Sequence, residues 1–268
     1  MSGANPGGIN VGALLINGAA IVGMAAIARR LGGPPLALLT LLGASLLVRS
    51  LGADVVRDAW VPNISVLPYG LLLFLIWAMT CGERWALPVA AGVASFLVQT
   101  HVQYALLAGP LVVAGGAWMI VTTRRRHLRA LWAVTLTATV VAVMCLPPLV
   151  DQYVGSHNLG HITHYFLHPD ANLHTFADGW RVVSAQFAAP PEWLAGFRRA
   201  NPGTAVSPEF YRSHLPVLLL PVVAALASLW RGRRFEALGL LAVLGLAAGL
   251  GVLSVARTIG GVYAYRLQ

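Results

Sequence analysis

Long apolar runs joined by short links constrain this 268-residue chain more than any other feature. The clearest run, Ile64 to Cys81, holds 18 residues without a charge. Others extend from Ile9 to Ala28, Leu36 to Leu51, Leu87 to Val121, Ala130 to Val150, Leu215 to Trp230 and Ala237 to Ala256. A hydrocarbon core about 30 Å thick takes roughly 20 helical residues to cross, and every run but Leu87–Val121 supplies about one crossing. Apolar residues make up 57% of the chain and charged ones 10%, too little polar surface to cover a soluble globule of this size. The expected fold is all-α, a polytopic transmembrane helix bundle of about seven spans with a small outer cap in its long loop. Five spans are expected in residues 1–150 and two in 214–268, with the cap formed by residues 151–213.

The links set an orientation. Arg29 and Arg30 follow the first run, Arg84 the third, Arg124, Arg125, Arg126 and Arg129 the long one, and Arg231, Arg233 and Arg234 the sixth. Short links rich in arginine face the cytoplasm. For all of these to do so, the 35-residue stretch Leu87–Val121 crosses twice and divides near Gln99-Thr100-His101. Both termini and the long loop are then outside, at a cell membrane crossed many times. Seven of the nine acids, Asp54, Asp58, Asp151, Asp170, Asp178, Glu192 and Glu209, fall at or beyond the outer face, leaving Glu83 and Glu236 inside. The net charge of +9 is spread over separate links with no basic domain. Anionic lipid headgroups account for that pattern, and nucleic acid is not an expected partner. Cys81 and Cys145 are placed at opposite membrane faces, where they cannot bridge.

The segment Met1–Gly8 has no basic n-region and no cleavage site, so it does not read as a signal peptide. A chain that starts on the outer side without a signal is expected to be an internal piece of a longer membrane protein.

Chemistry is expected in the outer segments. Gly52 to Asn63 packs Asp54, Arg57, Asp58 and Trp60 into one short link, with Arg49 a turn or two before it. A carboxylate there can act as a base toward a hydroxyl, and arginine can clamp a phosphate through two hydrogen bonds. Trp60 suits stacking on a sugar ring. The same residues also make a capped turn with an interfacial tryptophan, a common arrangement at span ends. Arg49 lies within an apolar run, where an ionisable group needs a partner or a wet cavity, although it can also extend outward to Asp54 or Asp58. His101 and Tyr104, at the expected break in the long run, fit either an anionic headgroup or the freed backbone groups of the break.

The loop Asp151–Ser213 is too long for a connector and carries most of the histidines. His157, His161, His164 and His168 share one helical stripe, a spacing that fits a metal geometrically. No cysteine or acidic ligand pattern accompanies them, so the stripe reads as an interfacial helix with Tyr165, Phe166 and Leu167 in lipid, and no metal or other cofactor is expected.

The stretch LGADVVRDAWVPNISVLPYGLLLFLIWAMTCGERWALPVAAGVASFLVQTHVQYALL (51–107) and the later LPPLVDQYVGSHNL (146–159) resemble large actinobacterial proteins of the GT-C glycosyltransferase superfamily. These are distantly similar to protein O-mannosyltransferases and aminoarabinose transferases. The resemblance spans roughly Gly12 to Tyr265, without a single diagnostic motif. It implies a multi-spanning transferase that takes a sugar, hexose or pentose, from a polyprenyl-phosphate donor and passes it, with inversion, to a hydroxyl on the outer side. It also implies a principal catalytic aspartate in the first outer loop, just after the first span. That region is expected to lie before Met1, since Asn5-Pro6-Gly7-Gly8 holds no acid.

On this reading Asp54 and Asp58 are the catalytic candidates. Arg49, Arg57, Trp60, His101 and Tyr104 are the substrate-binding candidates, and the partners are the lipid-linked donor and membrane lipids. The alternatives are a non-catalytic membrane remnant and a transporter or lipid flippase. A transporter calls for polar groups at mid-membrane, whereas those here gather toward one face. The orientation has a direct test. Single cysteines at positions 125 and 156, in a background lacking Cys81 and Cys145, should react with an impermeant maleimide in intact cells at 156 alone. Labelling at 125 overturns the orientation.

Overall fold

The computed structural model describes residues 6–52, 56–122, 128–167, 174–187, 205–206, 223, 232, 234–258 and 262–263. Its helices are α1 (Pro6–Gly32), α2 (Pro34–Leu51), α3 (Val61–Thr80), α4 (Ala86–Thr100), α5 (Tyr104–Thr122), α6 (Leu128–Val154), α7 (Asn158–Leu167), α8 (Phe176–Ala185) and α9 (Arg234–Ala256). Among the described residues, six of these are long and apolar enough to cross a membrane: α1, α2, α3, α5, α6 and α9. The fold is an all-α polytopic bundle. Two short strands, β1 (Ala205–Val206) and β2 (Val262–Tyr263), pair antiparallel and tie the long loop to the C-terminal segment. The expected span Leu215–Trp230 lies, apart from Val223, outside the described residues.

Helix breaks follow local chemistry. Gly33, at φ 83°, turns the chain between α1 and the Pro34-Pro35 start of α2, because only glycine takes that backbone conformation without strain. The long run divides as expected, with α4 ending at Thr100, His101 extended, and α5 opening at Tyr104. Helix α4 has 15 residues, short for a span. Counted as a crossing, it gives residues 1–150 six crossings rather than the expected five. With the expected Leu215–Trp230 span the total is eight rather than seven, the even number that two termini on one side require.

Helix α3 is the centre of the bundle, packed on α1, α4, α5 and α9. Leu72, Leu75, Ile76, Trp77 and Met79 on it are fully buried. Small residues let neighbours come close, as is usual where lipid provides no hydrophobic drive for helix association. A Cβ on Gly115 of α5 would sit 2.9 Å from Ile76 Cγ2, and one on Gly239 of α9 would strike Thr80. Trp77 Nε1 donates to Glu236 O of α9 at 2.9 Å. Helices α1 and α3 run in the same direction, since Asn17 in the first half of α1 meets Val56 just before α3 and Arg30 near the end of α1 meets Glu83 just after it. Helix α2 leans on α1, and α6 reaches the bundle through α4.

Pro147 and Pro148 stand inside α6. Proline has no N–H to offer the carbonyl four residues back, so Pro148 leaves Met144 O without its helical donor. Gln99 Nε2 of α4 supplies one at 2.8 Å.

The bundle has two unlike ends. One carries a clip in which Arg30 meets both carboxylate oxygens of Glu83, at 2.7 and 3.0 Å, while Trp85 Nε1 donates to the same group at 2.7 Å. The other carries His101, the α2–α3 link and the end of α9.

The histidine stripe departs from expectation. Only His161 and His164 are described on α7, and His168 lies outside the described residues. His157 precedes the helix at φ 56°, off the stripe. The cause is Asp151, whose carboxylate accepts from Ser156 N and Oγ and draws the chain into a sharp corner between α6 and α7.

Trp77 provides the stability test. Trp77→Ala should cost about 3–5 kcal/mol by opening a cavity. Trp77→Phe should cost less, since it keeps most of the ring contacts and forfeits one hydrogen bond, about 0.5–1.5 kcal/mol. The fraction remaining monodisperse after heating in detergent should rank wild type above Phe above Ala.

Candidate functional site at the His101 end

The α2–α3 link is built around Asp58. Its Oδ1 accepts from Trp60 N at 2.9 Å and its Oδ2 from Asn63 Nδ2 at 2.7 Å. Trp60 is the extended residue before α3, and its carbonyl accepts from Asn63 N and Ile64 N. Asp58 therefore caps the turn into α3, satisfying donors that a helix start leaves open. One residue earlier in the link than Arg57, Val56 O accepts from Asn17 Nδ2 of α1 at 2.9 Å. Asn17 is fully buried, and its Oδ1 has no hydrogen-bond partner among the described residues.

The second link joins α3 through Tyr104, whose hydroxyl donates to Ser65 Oγ at 3.1 Å. Ser65 donates in turn to Val61 O and Pro62 O in the first turn of α3. The Tyr104 ring stands 5.5 Å from that of Tyr69 and 6.5 Å, edge to face, from His101. His101 Nδ1 accepts from Gln103 N at 3.2 Å. A neutral imidazole in that role carries its proton on Nε2, which makes Nε2 a donor. Gln103 Nε2 donates to Ser254 Oγ at 3.1 Å and Thr258 Oγ1 at 3.0 Å, tying the end of α9 into the same region.

The two sets of candidates thus meet at the first turns of α3. Asp58 and Trp60 are hydrogen-bonded to each other, His101 and Tyr104 are in ring contact, and Ser65, bonded to Tyr104, donates to the carbonyls of Val61 and Pro62 that follow Trp60. Arg49 is exposed in the last turn of α2, Arg57 is exposed on the link, and Trp60 is 45% exposed. The expected reach of Arg49 to Asp58 is not made, and both Asp58 oxygens serve the turn instead. Asp54 lies outside the described residues.

Sequence reasoning passed over Asn17, Asn63, Ser65 and Gln103, which hold the candidates in place. It also passed over Arg257, exposed beside Thr258 at the same end. Asn17 carried a readable signal, a side-chain amide in the middle of an apolar run. Among the described residues no three His, Cys, Asp or Glu side chains gather as a metal set.

This end can offer guanidinium and imidazole donors to an anion and an indole face to a flat ligand. The Asp58 cap makes a measurable claim. Asp58→Ala should speed amide exchange at Trp60 and Asn63 and cost about 1 kcal/mol, with Asp58→Asn intermediate. Equal exchange in all three proteins would show that the carboxylate does not hold the turn. Compared with known proteins, the chain matches no protein-family model, no curated protein and no solved structure.

Proposed function

We propose that this chain is a membrane glycosyltransferase-like protein whose His101 end faces outward and handles a polyprenyl-phosphate sugar. The supporting observation is the meeting of two separate links at the first turns of α3, through Tyr104 and Ser65. In this reading Arg49 and Arg57 bind the donor phosphate, with His101 Nε2–H adding a donor near Tyr104. Charge-assisted contacts of this kind are among the stronger hydrogen bonds and offset charge that builds on a leaving phosphate. Trp60 faces the sugar, a groove between spans takes the prenyl chain, and Asp54 or Asp58 draws the proton from the acceptor hydroxyl.

A second reading is favoured by one detail. Both Asp58 oxygens already accept hydrogen bonds within the link, which suits a surface that binds the donor without serving as base.

Both readings require phosphate binding. Replacing Arg49 and Arg57 with alanine should weaken binding of a short-chain polyprenyl-phosphate sugar, each guanidinium contributing about 1.5–3 kcal/mol, or roughly ten- to a hundredfold in affinity. Asp58→Asn should leave binding nearly intact. Unchanged binding in the double variant removes the phosphate assignment. Sugar transfer abolished by Asp58→Asn selects the catalytic reading, and binding without transfer selects the second.

A further inference from the structure

Helix α8 belongs to the long loop, and its three flanks have different chemistry. A capping box fixes its start: Thr175 Oγ1 accepts from Asp178 N, and Thr175 N donates to Asp178 Oδ2 at 2.9 Å. The Thr175 hydroxyl, donating to Asp178 Oδ2 at 2.7 Å, and then Thr175 N hold the Asp178 carboxyl below its ordinary range, so it stays charged near neutrality. The flank that meets α9 carries Gly179 and Val183, the latter against Gly251 of α9, while Val182, Ser184 and Ala185 are also buried. A Cβ on Gly179 would strike the Val252 carbonyl, so at that point α8 rests on the backbone of α9. Val252 lies one turn before α9 ends at Ala256, at the His101 end of a membrane-spanning helix.

Phe176 and Trp180, one turn apart on a second flank, are 63% and 56% exposed, although both are large and apolar. Asp178 and Arg181 occupy a third flank and form an ion pair at 3.5 Å. At 3.6 residues per turn the aromatic and charged flanks stand about 150° apart, with the α9-facing side between them. An amphipathic helix in the plane of a bilayer surface shows this division, aromatics toward the acyl chains and charges toward water. Tryptophan in particular collects at that depth.

We infer that α8 lies in the lipid–water interface at the His101 end, with Phe176 and Trp180 seated in the lipid and Asp178 and Arg181 turned to water. The occupant of the aromatic flank is the phospholipid surface itself, because α9 carries α8 at the level where its own span ends. Covering by another protein segment or a second copy is an alternative that the same experiment detects.

The test uses the full chain in phosphatidylcholine–phosphatidylglycerol nanodiscs. Spin labels are placed singly at 176, 180, 178 and 181, with Cys81 and Cys145 replaced. Collision with oxygen should exceed collision with a water-soluble nickel chelate at 176 and 180, and the order should reverse at 178 and 181. Brominated lipid should quench the native protein more than the Trp180→Phe variant, which carries no label and needs no cysteine change. Nickel-dominated collisions at 176 and 180 overturn the proposal in favour of water. Low collision with both reagents there overturns it in favour of a protein cover.

Discussion

Helix α3 is enclosed by protein along most of its length, and the rest of the bundle is arranged around that fact. In lipid, burying an apolar side chain against another helix gains little over burying it in acyl chains, so association rests on close packing and interhelical hydrogen bonds. Both occur along α3. Gly115 and Gly239 let α5 and α9 approach, and the Trp77 indole reaches Glu236 O, 159 positions away in sequence. Helices farther from α3, such as α2 and α6, show most of their apolar surface to the surroundings.

The enclosure also explains why the candidate residues come together. The link that opens α3 and the link that opens α5 share no sequence pattern. They meet because α5 packs on α3 and Tyr104 stands one hydroxyl from Ser65. The same end draws in the close of α9 through Gln103, and α8 lies on α9. The long loop is thereby joined to the His101 end by a continuous series of contacts.

Much of the architecture was legible in the runs. The division of Leu87–Val121 followed from polar residues interrupting an overlong apolar stretch, and it falls where the arginine links require. The helices overrun the runs that announced them: α1 reaches Gly32 beyond Ala28, and α6 reaches Val154 beyond Val150. Hydropathy registers where lipid ends, whereas a helix continues until its backbone is capped or turned. The histidine spacing is seen only in part, since the Asp151 corner places His157 before α7 and His168 lies outside the described residues. Gln99 was legible in principle, since Pro148 announces a carbonyl in need of a donor four residues earlier. Ser65, Asn63 and Gln103 were not, because their partners depend on which helices become neighbours.

Helix length carries a consequence for the surrounding bilayer. At 1.5 Å per residue, α1 and α6 extend about 40 Å, whereas α4 extends about 22 Å, and α4 packs directly against α6. The perimeter is therefore stepped, and lipid beside the short member must thin while lipid beside the long ones must thicken or the helices tilt. His101, extended just beyond α4, closes the short member of that pair.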